Sequence, residues 1–461
     1  MATFWENLEN YGNALCVSGE TSLSYLELAH AADACFSDAK RAVAFIICRK
    51  NLATIIGYIG CLRHKIVPVL LPEDISENNL KNLIDLYQPK YIWASSLDVN
   101  FSITLEKSKS AYGYDLFILD TKPYDISDEL GLLLTTSGST GSPKLVRLSY
   151  KNLDANANSI VRALSINADH IPVSLLPFHY SFGLSVLNSH LKVGAKIIVT
   201  NHSLLQREFW QCAKEHSITS LYAVPYHLEI LQKLNFKRIN LRSLSLLAQA
   251  GGRLSEVLRE YYYQLSSDLN FNFFIMYGQT EASARISCLP PNQFPHKKNS
   301  VGKAIPGGKL VIHNPDTDGV GEIIYEGDNV SLGYATSYLD LAHDNLNKGV
   351  LNTNDLGYLD KDGYLYISGR KNRFIKVFGN RINLDHLEQL VKQVDHQAAV
   401  IGRDDLIKIL TLNDNMQEIQ ACIINNTNLN KQAFKIEKID SLSVKLSGKV
   451  DYADMNNRYL D

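Results

Sequence analysis

Apolar and polar positions along the first hundred residues follow two alternating periods. The run from Tyr25 to Phe36 has its apolar residues at helical spacing, and residues 51–62 repeat that spacing. Around them, residues 42–48 (AVAFIIC), 66–71 (IVPVLL), 91–94 and 116–119 are apolar throughout, which predicts strands buried on both faces. Such strands, separated by helices, predict a parallel sheet covered on both sides. The rhythm returns at 171–176, 196–200, 220–224 and 243–248. The expected fold class is therefore α/β, with a large N-terminal domain built on two α/β sheets.

After about residue 299 the texture changes. Gly302, Gly307, Gly308, Gly319, Gly321, Gly327 and Gly333 punctuate short alternating runs at 309–313 and 322–325. That pattern predicts an antiparallel β-subdomain over about 299–369, whose last strand is 364–368 (YLYIS). The polar stretch 369–373 marks a boundary. The expected organisation is a large domain at 1–369 and a small, mobile α+β domain at 370–461.

Composition narrows the class. A chain of 461 residues suits two or three domains, and 45% hydrophobic with 20% charged residues describes a globular protein with a large core. The net charge of −2 and the lack of a dense basic face argue against a nucleic-acid partner. The nearest basic cluster is Arg370, Lys371, Arg373, Lys376 and Arg381. Seven scattered cysteines without a C-x-x-C pair form neither a complete disulfide framework nor a zinc site. Residues 171–191 contain no Asp, Glu, Lys or Arg, yet Pro177, His179, Asn188 and His190 interrupt them. The expectation is a buried strand, loop and helix start with no membrane span. With no signal pattern at the start of the chain, the expected location is cytoplasmic.

Candidate chemistry centres on residues 132–144, LLLTTSGSTGSPK. An apolar strand enters a loop of glycines and hydroxyls that ends in a lysine. Glycines let backbone amides approach a phosphate, the hydroxyls add donors and the lysine adds a cation. The G-x-x-x-x-G-K-[ST] pattern does not fit around Gly141 and Lys144. Composition alone also fits a plain flexible Gly/Ser loop.

Thr136-Ser-Gly-Ser-Thr-Gly-Ser-Pro-Lys144 resembles the phosphate loop of the adenylate-forming superfamily, which comprises acyl-CoA synthetases, amino-acid adenylation domains and luciferases. Four further segments match in that family's order: 177–183 (PFHYSFG), 277–281 (YGQTE), 353–355 (TND) with 368–370 (SGR), and 447–449 (SGK). The resemblance implies activation of a carboxylic acid by ATP as an acyl-adenylate, with release of pyrophosphate. Transfer to a thiol would follow, either coenzyme A or the phosphopantetheine of an acyl or peptidyl carrier protein. An amine acceptor, and a non-catalytic nucleotide-binding regulator on the same fold, are the other readings. The implied cofactors are ATP/AMP and Mg²⁺, with coenzyme A as acyl acceptor.

The resemblance also assigns roles. Thr136, Ser137, Gly138, Ser139, Thr140, Gly141 and Lys144 would contact phosphates. Glu281, with Thr280, would hold Mg²⁺, a hard cation suited to carboxylate and phosphate oxygens. Tyr277 and Gly278 would face one side of adenine, with Gly251, Gly252 and Arg253 on the other. Asp355 would take the ribose hydroxyls, and Arg370 the ribose or phosphate oxygens. Lys449 would bridge the carboxylate and the α-phosphate. His179 stands where amino-acid-activating members carry an aspartate, so an acid without an α-ammonium is expected. Taken singly, Tyr277 could equally be a core aromatic, Asp355 a turn residue and Lys449 a surface lysine. Three positions depart from the family: Leu145 for glycine, Asn354 within Thr-Gly-Asp, and Asn372 at the hinge. Between Gln397 and Lys449 there is little room for the family's usual helices.

Overall fold

The computed structural model describes the chain except residues 1–2, 20, 96–105, 136–143, 378–379, 428, 445–449 and 461. It divides into two compact units, the first made of 1–310 and 325–351 and the second of 311–324 and 352–461.

The first unit holds an eight-stranded sheet. Its order is Gly333–Ala335, Leu145–Ser149, Leu130–Thr135, Val67–Pro72, Val43–Cys48, Tyr91–Ser95, Tyr114–Ile118 and Glu106–Ala111. Val43–Cys48 is flanked by parallel neighbours on both sides, and Val67–Pro72 runs parallel to Leu130–Thr135. All six residues of Val43–Cys48 are buried, as an apolar strand covered on both faces requires. The stretch expected at 116–119 does lie in this sheet, but Tyr114–Ile118 runs antiparallel to Tyr91–Ser95.

Local signals explain the covering helices. Ser24 accepts from the Glu27 amide while Glu27 reaches back to the Ser24 amide, so the helix starts at Tyr25. Asn51 caps Leu52–Arg63 through the Thr54 amide.

A second sheet orders Ser220–Ala223, Leu246–Gln249 and Asn272–Tyr277 in parallel, then adds Ser287–Leu289 and Lys303–Ala304 antiparallel. The strand expected at 171–176 reduces to isolated bridges at Pro172 and Val173. The uncharged run 171–191 ends in helix Ser181–Leu191, every residue of which is buried. Among the described residues no helix is long and apolar enough to cross a membrane, and the seven cysteines are free.

Beyond residue 299, a four-stranded sheet orders Gly308–His313, Gly321–Gly327, Val350–Leu359 and Leu365–Arg370. The second unit continues with a three-stranded sheet of Ala399–Arg403, Leu406–Thr411 and Phe434–Lys438. It carries helices Leu384–Val394, Met416–Asn426 and Tyr452–Tyr459, so one helix does fit between Gln397 and Lys449. Its buried polar centre is Glu388, which accepts from the Arg373 guanidinium (3.0 Å), the Val400 amide (3.0 Å) and the Tyr452 hydroxyl (2.6 Å). Arg373 also pairs with Asp385 at 2.7 Å and lies 4.0 Å from the centroid of the Tyr452 ring.

Removing Arg373 would leave the buried Glu388 carboxylate to the Lys392 ammonium (2.6 Å) and take the guanidinium from Asp385. Arg373→Met should destabilise the second unit by about 1.5–3 kcal/mol, read as a lower denaturant midpoint. A midpoint within error of wild type would show that the pair is not needed.

Candidate active site

The most informative segment is 277–285. Strand Asn272–Tyr277 ends at Gly278, and the chain turns back on itself through the short helix Thr280–Ala282. A Cβ on Gly278 would lie 1.8 Å from the Ala284 carbonyl oxygen, so only glycine allows this approach. Ser283 (φ 54°) and Ala284 (φ 109°) have positive φ, and for alanine the value is strained. Side chains pin the return. The Asn329 amide donates to the carbonyls of Ala282 (2.8 Å) and Arg285 (2.9 Å), and the Tyr325 hydroxyl donates to Asn329 Oδ1 (2.8 Å).

The turn places the two residues expected at the metal. Glu281 Oε1 accepts from the Tyr334 hydroxyl at 2.8 Å. Lys144 Nζ stands 3.4 Å from the centroid of the same Tyr334 ring. Pairing of Gly333–Ala335 with Leu145–Ser149 sets Tyr334 opposite Val146, two residues from Lys144. Lys144, Tyr334 and Glu281 thus form one polar cluster at the strand that leaves the phosphate loop. Tyr334 carried no signal in the sequence, because its role arises only from strand pairing. Leu145, the departure after Lys144, is fully buried as the first residue of that strand.

Thr280 lies on the other side of the turn, buried, with its hydroxyl 3.1 Å from that of Ser181. This contact ties the turn to the 177–183 segment. Gly251, at φ 83°, completes the group: a Cβ there would meet the Tyr180 hydroxyl at 2.7 Å. The Gly252 carbonyl accepts from Gln249 at 2.8 Å, and Arg253 is exposed. Tyr277 is half-buried and its hydroxyl is met by the Gln279 amide at 3.3 Å. The first unit therefore gathers Lys144, Tyr180, Gly251, Tyr277, Thr280 and Glu281. A small, partly open cavity (≈ 10 Å³), lined by Phe178, Gly183, Val186 and Tyr222 among others, has room for about one water.

His179 sits in this neighbourhood with its Nδ1 buried and without a hydrogen-bond partner. Burial pushes its pKa down to about 4, against the pull of Asp74, so the ring is neutral near pH 7.

The second unit holds the residues expected at the ribose. Asp355 and Arg370 are directly paired across strands Val350–Leu359 and Leu365–Arg370, with Arg370 Nε 3.6 Å from Asp355 Oδ1. Asp355 is buried, whereas Arg370 is largely exposed. Asn354 has φ 57°, a left-handed conformation that asparagine tolerates far better than most residues, which accounts for its standing in place of glycine. The basic cluster of the sequence is put to separate uses, since Lys371 pairs with Glu322 and Arg373 with Asp385 and Glu388. Thr136, Ser137, Gly138, Ser139, Thr140, Gly141 and Lys449 lie outside the described residues.

The residue set suits a nucleotide–Mg²⁺ complex. Among the described residues no group of three or more His, Cys, Asp or Glu could hold a metal alone. A Mg²⁺ ion held by the Glu281 carboxylate would need phosphate oxygens to complete its shell.

Two α/β sheets, a glycine-rich β region, a phosphate-type loop and this turn define an enzyme of the adenylate-forming class. A family model described as AMP-binding enzyme matches residues 4–335, and the chain belongs to that family. It is 26% identical over 359 residues to the 2-succinylbenzoate–CoA ligase of Listeria innocua, covering 73% of this chain and 72% of that protein. It is 24% identical over 472 aligned positions to the enzyme of the same name from Staphylococcus epidermidis, covering 97% and 96%. Among solved structures, o-succinylbenzoate CoA synthetase of Bacillus subtilis, bound to an acyl-adenylate intermediate, shares the fold with a TM-score of 0.80. It has 20% identity, over 99% of this chain and 98% of that one.

Three imidazoles, His190 buried and His179 and His227 half-buried, give the first unit an acid limit. Burial pushes His179 and His227 down to about 4 and His190 to about 3. Unfolded, each binds a proton near its ordinary 6.5, so between about 6.5 and 4 the unfolded chain holds more protons than the folded one. Stability should thus be full above that window and fall as the pH drops through it. The melting temperature should be lower at pH 5 than at pH 7.5, and His190→Asn should lessen the difference. An undiminished difference in the variant would exclude His190 as a source.

Proposed function

We propose that this chain is an AMP-forming acid–thiol ligase that joins a carboxylic acid to AMP and then passes the acyl group to coenzyme A. The observation that carries the reading is the Lys144–Tyr334–Glu281 cluster, at the residue that precedes strand Leu145–Ser149. It sets a cation and a carboxylate on one tyrosine, a pair that would suit a nucleotide's phosphates and their metal. Charge develops on the phosphates and on the attacking carboxylate during adenylation, and preorganised cations and donors lower its energy. Mg²⁺ would supply most of that neutralisation when bound. On this reading Glu281 orients the metal, while Tyr334 holds the carboxylate in place and seats Lys144 on its ring. Tyr277 with the Gly251–Arg253 turn would flank adenine, and Asp355 and Arg370 would hold the ribose.

The acid is assigned by two supports. A neutral, half-buried His179 is a poor partner for an ammonium, which favours an acid without an α-amino group. The relatives named above take 2-succinylbenzoate and coenzyme A, which makes aryl and keto acids, with coenzyme A, the first substrates to test. Lys449 would serve adenylation alone, and rotation of the small domain after about residue 370 would withdraw it before thiol transfer.

ATP–pyrophosphate exchange across a panel of acids tests the reading, with exchange expected for aryl or keto acids and little for α-amino acids. Glu281→Gln should lower exchange far more than AMP affinity, because AMP lacks the pyrophosphate that the metal neutralises. Equal losses in both would remove the metal role.

Lys449→Ala should slow acyl-adenylate formation by on the order of 10²–10³. It should leave transfer from prepared acyl-AMP to coenzyme A nearly intact, and equal slowing of both steps would reject a role confined to adenylation.

A further inference from the structure

Residues 368–373 lead from strand Leu365–Arg370 toward helix Leu384–Val394, and both elements hold them. On the strand side, Arg370 Nε lies 3.6 Å from Asp355, and the Lys371 ammonium pairs with Glu322 of strand Gly321–Gly327. On the helix side, the Arg373 guanidinium pairs with Asp385 (2.7 Å) and Glu388 (3.0 Å) and donates to the Val400 carbonyl (2.8 Å). Lys371 is exposed and Arg373 is buried. The chain therefore passes from the strand's partners to the helix's partners across Asn372, the position expected as the hinge.

Two residues at the start of the helix reach back over that crossing. Asn383 caps the helix through Oδ1, which accepts from the amides of Asp385 (2.9 Å) and His386 (3.2 Å). Its Nδ2 donates to the Ser368 carbonyl at 3.0 Å. Asp385 takes the Arg373 guanidinium on Oδ1 and the Arg370 amide on Oδ2, the latter at 3.1 Å. One carboxylate thus binds a residue on each side of Asn372. The approach is close at Gly369, where a Cβ would lie 2.8 Å from Asn383 Nδ2 and 3.2 Å from Asp385 Oδ2. Capping uses Oδ1 of Asn383 alone; the bonds to Ser368 and Arg370 add nothing to the helix and fix the linker instead. A rotation taken up by φ and ψ at 371–373 displaces the helix relative to 368–370. The two bonds that straddle the linker cannot survive it, whereas the Arg373 contacts travel with the helix.

We propose that Asn383 and Asp385 are positioning residues that clasp the linker, and that the clasp opens when the small domain turns between adenylation and thiol transfer. This rests on the two-step reading above and adds the contacts that set the balance between the two orientations. A carboxylate bonded to a backbone amide makes a charge-assisted hydrogen bond, stronger than a neutral one. Arg370 lies at the surface, so water can take over its amide once the bond breaks. The clasp is strong enough to favour one orientation and weak enough to open in every turnover.

Hydrogen exchange of the 368–371 backbone tests the clasp in the full chain, once with Mg²⁺ and ATP and once with AMP and coenzyme A. Protection at the Arg370 amide should differ severalfold between the two states, because its bond to Asp385 exists in one orientation only. A bond that merely braces the fold would give equal protection in both. A second measurement separates the half-reactions, using the acid that performs best in the panel above. Adenylation is read by pyrophosphate exchange, and transfer by release of AMP from prepared acyl-AMP with coenzyme A. Asp385→Ala should change the ratio of the two rates by roughly tenfold, the worth of a hydrogen bond to a charged group. Asp385→Asn keeps an oxygen for the Arg370 amide and should change the ratio less. Both variants weaken the hold on Arg373, so a melting temperature lowered alike in both leaves the ratio as the deciding quantity. Equal protection in the two states, or a ratio unaltered in Asp385→Ala, would overturn the proposal. Absence of pyrophosphate exchange by wild type with every acid would instead strike the adenylation reading. The protection of Arg370 in the two states would then decide the clasp by itself.

Discussion

A close approach of backbone to backbone, at Gly278 and Ala284, organises the chemistry of the first unit. With no side chain at 278 the strand can end and return within eight residues, and the amide of Asn329 reads two carbonyls of the return at once. Each captured carbonyl is worth about 1 kcal/mol, but leaving one buried and unmet would be more damaging than that. The turn is therefore over-determined, which lets it hold Ser283 and Ala284 in unfavourable conformations. Three side chains leave it in different directions: Thr280 toward Ser181, Glu281 toward Tyr334, and Arg285 onto the Phe182 ring. A shift in the turn would move all three together.

The second unit has a comparable centre of a different kind. Glu388 gathers a guanidinium, an ammonium, a hydroxyl and a backbone amide from four separate parts of the fold. Arg373, which in sequence belongs to a basic cluster, is absorbed into this network, while Arg370 three residues earlier stays exposed beside Asp355. Neighbouring charges in a sequence thus split between holding a fold and standing at the surface. Burial and the partners each residue meets decide the split.

Much of the architecture was legible because it is encoded locally. The capping box at Ser24 and Glu27 and the Asn51 cap set helix starts, and the run from Val43 to Cys48 is apolar at every position because both faces are covered. What escaped depends on distant partners. The strand Asn272–Tyr277 went unread, although the apolar NFFIMY that enters the YGQTE motif could have revealed it. Residues 171–176 looked like a strand but make only isolated bridges. At the candidate site, sequence motifs marked Gly278, Thr280, Glu281 and Asp355, since the roles proposed for them need particular residue types at particular spacings. Tyr334 and Asp385 have no such signature. One is defined by strand register and the other by the linker amide that it meets, and both become visible only in three dimensions.

The helix Ser181–Leu191 carries a consequence for how the protein must be made. Across 171–191 the chain has no charged residue, and the whole helix is hidden once the fold is complete. Most apolar segments are guarded by flanking charges that discourage association while the chain is still open. Here Asp169 and Lys192 stand at the two ends, and the residues between them rely on burial. Leu184, Leu187 and Leu191 join the core of the first sheet, whereas Phe182 and Val186 stay open until Tyr222, Ala248 and Phe274 have been synthesised and packed. Solubility of the nascent chain is thus a race between translation of the second sheet and self-association. The outcome depends on protein concentration and chaperone supply rather than on the stability of the finished fold.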